Sequence, residues 1–159
     1  MTKLNIVRLV ISIVACEAAG GIGAVFTTPA ISTWYAGLTK PAFTPPNEVF
    51  APVWITLYLL MGIAVFFVWR NWLKVKGVLP AFIIFWIQLI VNILWSVIFF
   101  GFQSTFWGLV IIIILWFLIL ATIILFMRVS RVAGYLLIPY ILWVSIATYL
   151  NFGIWQLNS

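Results

Sequence analysis

The chain reads as an all-α integral membrane protein, a bundle of five transmembrane helices with a lid-like loop between the first two. Three observations carry that expectation. Of its 159 residues 67% are hydrophobic and 6% charged, whereas a soluble domain is roughly 45–50% apolar and about 25% charged. The apolar residues fall into five stretches, each near the roughly 20 residues that cross a bilayer as a helix. None of these stretches alternates polar and apolar residues as a barrel strand does. Helices, which satisfy their own backbone groups in lipid, are therefore expected.

Charges and Pro/Gly clusters set the spans. The first covers about residues 5–28. It outruns the apolar core of a secretory signal and continues into a Trp-bearing loop, so it reads as a span and not as a cleaved leader. The loop from Pro29 to Glu48 is the only long connection. The second span, about 49–69, is closed by Arg70, Lys74 and Lys76. The third, about 79–100, ends in a short turn over 101–105. The fourth, about 106–127, stops at Arg128 and Arg131, carries almost no polar group besides Thr122 and reads as scaffold. The fifth covers about 135–155, so that residues 1–159 form one domain without an internal repeat.

Lys3, Arg8, Arg70, Lys74, Lys76, Arg128 and Arg131 fall on one side of these spans, and Lys40 alone on the other. Basic residues stay cytoplasmic, which puts the N-terminus inside and the long loop and C-terminus outside, as in a prokaryotic cell membrane. The net charge of +6 is thus an orientation signal. No run of basic residues suggests nucleic acid.

Several chemistries are excluded. The chain has no histidine, hence no imidazole base and no Ser-His triad. Two carboxylates, Glu17 and Glu48, and one thiol, Cys16, do not make a metal cage. Gly20, Gly21 and Gly23 lie in a hydrophobic helix and not in a phosphate-binding loop. A conventional enzyme is not expected, nor a required cofactor or metal.

Ten tryptophans in so small a chain need an explanation. Trp69, Trp72, Trp107 and Trp155 stand at span ends, where indoles favour the headgroup level. Trp54, Trp95, Trp116 and Trp143 lie further in. At 1.5 Å per residue, Trp54 and Trp95 come roughly 8 Å below the loop side, Asn92 and Ala147 about 12 Å, Tyr58 about 14 Å and Trp143 about 18 Å. Trp54, Tyr58 and Met61 share one helix face. So do Gln88, Asn92, Trp95 and Phe99, and likewise Trp143, Ala147 and Asn151. Amides avoid lipid, so the three stripes should face one another, either around an aromatic-walled space for a flat hydrophobic ligand or as glue between helices. The loop, with Trp34, Tyr35 and Phe43 and stiffened by Pro41, Pro45 and Pro46, is expected to cap that space.

The run Trp34-Tyr35…Leu38…Lys40-Pro41…Pro45-Pro46…Val53-Trp54…Leu57-Tyr58…Met61-Gly62 closely resembles the signature of the TspO/translocator protein family, the tryptophan-rich sensory proteins. The likeness continues through Asn92-Ile93-Leu94-Trp95, Phe99-Phe100-Gly101, Pro139-Tyr140…Trp143 and Ala147-Thr148…Asn151-Phe152, and so covers all five spans. The resemblance implies a five-helix bundle, often dimeric, that receives or senses porphyrins such as protoporphyrin IX under its first loop. It further implies binding of isoquinoline- and benzodiazepine-type drugs. Positions matching the family's pocket are Tyr35, Pro45, Tyr58, Asn92, Trp95 and Ala147. Light-dependent porphyrin breakdown, reported for some members, requires two tryptophans that match Trp54 and Trp143. In this chain Glu48 stands where many relatives have Trp, and Ala42-Phe43 replaces a more Trp-rich pair. The sterol consensus is broken, because no Lys or Arg follows Tyr149.

Two features lie outside that likeness. Glu17 falls near the middle of the first span, where a carboxylate is a functional feature by default. It is expected either to bond Gln88, Asn92 or a backbone carbonyl, or to serve a small proton-coupled transporter. Ala15, Ala19 and Gly23 form a small-residue face, with Gly20 and Ala24 beside it, suited to a homodimer through helix 1.

Overall fold

A computed structural model describes residues 2–159, and all regular structure in them is helical. Helix α1 (Lys3–Ile31) leads through a 3₁₀ turn (Tyr35–Gly37) to α2 (Asn47–Trp69). Helix α3 (Val78–Ser96) ends in one π turn (Val97–Gly101) and is followed by α4 (Thr105–Val129). The last span is split into α5 (Arg131–Leu136) and α6 (Ile138–Asn158). Five helical segments are long and apolar enough to cross a bilayer, the fifth being α5 and α6 together.

Local chemistry explains the boundaries. The Thr2 side chain accepts from the Asn5 amide at the start of α1, and the Ser104 hydroxyl accepts from the Trp107 amide at the start of α4. Each satisfies one of the donors a first turn leaves free. Gly77 precedes α3 with φ +91°, a left-handed conformation that glycine takes without steric cost. Ser130 is extended between α4 and α5. Pro139, with no amide hydrogen, sits in the first turn of α6 and sets the step at Leu137.

Two spans differ from their sequence-based limits by more than two residues. The first runs on through Pro29 to Ile31, because the missing amide of one proline in a last turn is tolerated when the following residues still bond back. The fifth begins at Arg131, four residues before the expected 135, as the separate turn α5.

Packing closes the bundle: α1 lies on α2 and α3, α3 on α4, α4 on α5 and α6, and α2 on α5. The backbones of α1 and α2 come close at Gly62, where a Cβ would stand 2.6 Å from the Ile13 Cα. The connecting loop is tied at its far side by Asn158, whose Oδ1 accepts from the Thr39 amide at 3.0 Å and whose Nδ2 donates to the Thr39 carbonyl at 2.8 Å. Trp72 and Trp107 are exposed, and Trp69 and Trp155 half-buried, consistent with an interfacial level.

Candidate functional site

On the loop side of the Ile13–Gly62 contact, α1 and α2 leave a cavity of about 390 Å³ between them. That volume is in the range of small-molecule sites. One wall is α1, through Glu17, Gly20, Gly23, Ala24 and Thr27. The facing wall is α2, through Phe50, Trp54 and Tyr58. Trp95, Ser96 and Phe100 form the back and Tyr35 the roof. Lining residues Gly21, Ala24, Ala51 and Ile55 are exposed, so the mouth opens sideways between α1 and α2.

Missing side chains shape the α1 wall. A Cβ at Gly20 would fall 2.5 Å from Cδ2 of Tyr58, so only glycine lets that ring lie against the helix. A Cβ at Gly23 would stand 3.1 Å from the Ser96 hydroxyl. The α2 wall is an aromatic stripe at i, i+4, i+8. Trp54 is its centre, with its ring 5.7 Å from Tyr58, 6.2 Å from Trp95 and, edge-on, 6.3 Å from Tyr140. Trp95 continues the column by stacking on Phe99 at 5.7 Å.

Behind this wall lies a buried polar chain. Tyr58 donates to Asn92 Oδ1 at 2.5 Å, Asn92 Nδ2 donates to the Tyr140 hydroxyl at 2.8 Å, and Tyr140 donates to Gln88 Oε1 at 2.9 Å. Separately, Trp95 Nε1 donates to Asn151 Oδ1 at 3.1 Å, and Asn151 Nδ2 to the Thr105 carbonyl at 3.0 Å. The amides of α3 and α6 therefore bond α2, α3, α4 and α6 to one another.

The expected site residues separate accordingly. Tyr35, Trp54, Tyr58 and Trp95 line the cavity. Asn92 stands one hydrogen bond behind it, and Ala147 is buried away from it. Trp34 packs edge-on against Phe99, 5.4 Å away, and does not line the cavity. Phe43 is 63% exposed and Pro45 half-buried, and neither covers it. Of the loop residues Tyr35 alone lines the cavity, clamped edge-on by Phe99 at 6.5 Å and tilted on Phe100 at 5.8 Å. Burial pushes the Tyr35 phenol above its ordinary range, and the Lys40 ammonium sits 4.6 Å over its ring.

Trp143 packs edge-on against Phe50 at 5.6 Å, and its indole N–H is buried without a partner. It lies outside the cavity, one ring behind the wall. Its level also differs from the depth estimate, since Phe50, one turn toward the loop from Trp54, is what it touches. Distance along a helix equals depth only when the helix is untilted.

Two further expectations are corrected. The space lies between α1 and α2 with α3 behind, and no residue of the fifth span lines it. The amides that were to draw that span into a pocket are consumed in helix-to-helix bonds. Glu17 bonds neither Gln88 nor Asn92, whose oxygens accept from Tyr140 and Tyr58; it lines the cavity instead. Of the small-residue face of helix 1, Ala19 and Gly23 are buried within the protomer, Ala15 and Gly20 are half-buried and Ala24 is exposed.

Residues that periodicity left unassigned are Gly20, Thr27, Phe50, Phe100 and Tyr140. Phe50 was within reach of the same rule, four residues before Trp54. Comparison with known proteins agrees with this architecture. A model of the TspO/MBR family matches residues 12–156. The chain is 44% identical to Tryptophan-rich protein TspO of Archaeoglobus fulgidus, over 98% of this chain and 100% of that protein. It is 38% identical to Protein CrtK of Rhodobacter capsulatus, over 98% of this chain and 95% of that protein. It is 39% identical to Translocator protein of Homo sapiens, over 79% of this chain and 75% of that protein.

Proposed function

The chain belongs to the TspO/MBR family, and from that premise we propose that it is a membrane receptor for flat, hydrophobic aromatic ligands of the tetrapyrrole kind. The ligand enters the α1–α2 cavity and stacks on Trp54. The observation that carries this reading is the cavity itself, walled by Phe50, Trp54, Tyr58 and Trp95, with Gly20 and Gly23 letting Tyr58 and Ser96 lie close against α1. Each aromatic contact of a bound ring adds about 0.5–1.5 kcal/mol beyond burial. No general base is needed for recognition of this type. A relative in Cereibacter sphaeroides bears the name Tryptophan-rich sensory protein, which accords with a sensing role. Seven basic residues on one side against one on the other support a cytoplasmic N-terminus with the loop outside.

Titration of protoporphyrin IX against the protein in neutral detergent, in the dark, tests the reading through the porphyrin's main absorption band. Saturable binding in the micromolar range, weakened severalfold by Trp54→Phe and only slightly by Trp143→Phe, is the expected result. Unsaturable partitioning unchanged by Trp54→Phe refutes it. Illuminating the complex afterwards asks whether Trp143, one ring behind Phe50, joins Trp54 in any light-dependent loss of the porphyrin.

Glu17 on the cavity wall favours proton-coupled transport as the second reading. It requires the Ile13–Gly62 contact to open, and vesicles that accumulate a cavity ligand only under a proton gradient would establish it.

A further inference from the structure

Glu17 is the one carboxyl group on the cavity wall. Several donors on or just behind that wall are committed elsewhere. Thr27 donates to the Gly23 carbonyl, Tyr58 to Asn92, Asn92 to Tyr140 and Trp95 to Asn151. Gln88 turns its Nε2 toward the Met61 sulfur. No lysine or arginine lines the cavity. A carboxyl group in an apolar, water-poor space and without a partner from its own chain is costly. A bound molecule is what can supply that partner. Across the cavity stand the faces of Trp54 and Tyr58, and aromatic faces beside an acceptor are the combination that holds organic cations and N–H groups.

We propose that Glu17 selects the ligand of this cavity, and that the selected class is a flat aromatic carrying a nitrogen-borne hydrogen-bond donor. An aromatic amine and the pyrrole N–H groups of a free-base tetrapyrrole both belong to that class. The proposal rests on reading the α1–α2 cavity as the ligand site. It also orients the ligand. Acidic substituents find no cation beside Glu17 and are repelled by it, so they lie toward the loop, where Lys40 covers the Tyr35 roof. The nitrogen-bearing part lies deep.

Three probes of like shape separate the terms: 9-aminoacridine, neutral anthracene and 9-anthracenecarboxylate, each titrated by fluorescence into protein in neutral maltoside micelles. Glu17→Gln keeps the shape and removes the charge, and thermal melting followed by circular dichroism checks the fold of each variant. The wild type is expected to hold 9-aminoacridine well over tenfold more tightly than 9-anthracenecarboxylate. Glu17→Gln is expected to weaken 9-aminoacridine by roughly tenfold or more, as loss of a charge-assisted hydrogen bond does, and to leave anthracene within about twofold. Trp54→Ala weakens all the probes that bind. If Trp54→Ala does so and Glu17→Gln changes none, the ligand site stands and the role of Glu17 falls. If Trp54→Ala changes none, the site itself falls and the role of Glu17 with it. A wild type that binds the carboxylate as tightly as the amine overturns the proposal without any variant.

Discussion

Tyr140 offers a decisive test of whether the buried amides hold helices or wait for a ligand. It is 1% exposed, and its hydroxyl is used twice, accepting from Asn92 Nδ2 at 2.8 Å and donating to Gln88 Oε1 at 2.9 Å. Tyr140→Phe removes one oxygen and leaves two buried amide groups without their partners. Side-chain hydrogen bonds within membranes average about 0.6 kcal/mol and reach about 1.7 kcal/mol. Two of them give about 1–3 kcal/mol. Tyr58→Phe removes a single bond, to Asn92, and is expected to cost roughly half as much. Reversible unfolding in mixed micelles, with free energies from linear extrapolation in denaturant, measures both. The double variant Gln88→Met with Tyr140→Phe removes an orphaned amide as well, so it is expected to be less destabilised than the sum of its parts. A Tyr140→Phe protein within about 0.5 kcal/mol of wild type, or less affected than Tyr58→Phe, refutes the hydrogen-bonded chain. A Tyr140→Phe protein that keeps its stability but loses porphyrin affinity would return the amides to the ligand.

Three glycine substitutions should rank by what each new Cβ meets. Gly62→Ala meets the Ile13 backbone and Gly20→Ala the Tyr58 ring, while Gly21→Ala meets nothing within 4 Å. Overpacking costs about 1–3 kcal/mol, and thermal melts should show Gly62→Ala as the worst, Gly20→Ala next, and Gly21→Ala near wild type. Gly20→Ala should in addition weaken porphyrin binding, because Tyr58 must move into the cavity; unchanged affinity would contradict the assigned wall. Asn158→Ala removes both bonds to Thr39, and hydrogen exchange over residues 32–46 should rise severalfold without a comparable change in α3. Alkaline titration should find the Tyr35 phenol. Burial raises its pKa in the folded protein above the ordinary value of 10.0, so the stabilisation from docking it is complete below pH 10 and is lost as pH climbs through the raised value. Tyr35→Phe should remove that alkaline step from a stability-against-pH curve, and an identical step in the variant would assign it to another group.

What was legible in the sequence follows from which physical signals are local. Hydropathy and charge mark five spans because the bilayer acts on each helix separately. The stripe through Trp54 and Tyr58 is legible because helical periodicity alone brings them together. That Gln88, Asn92 and Asn151 turn inward is legible too, since lipid has no partner for them. Whether they meet a ligand or one another depends on Tyr140 arriving between Asn92 and Gln88, and that register across helices is written in no single segment. The loop is irregular and shows no period, so nothing local distinguishes buried Tyr35 from exposed Phe43; its far anchor, Asn158, lies 119 residues from Thr39.

The α1 wall is the deepest omission, and its cause is general. Hydropathy registers the side chains that are present, whereas this cavity is bounded by ones that are absent. Gly20 and Gly23 invite two readings from one pattern, since a small-residue face serves equally for helix contact and for space. The structure divides that face: Gly23 closes on Ser96, and Gly20 takes the flat of Tyr58. A glycine opposite an aromatic ring is a single device shared by two helices. Neither residue announces it alone. Glu17 stands one turn from Gly20 on that wall, and its place in the apolar span acquires a physical reason only once the space in front of it is seen.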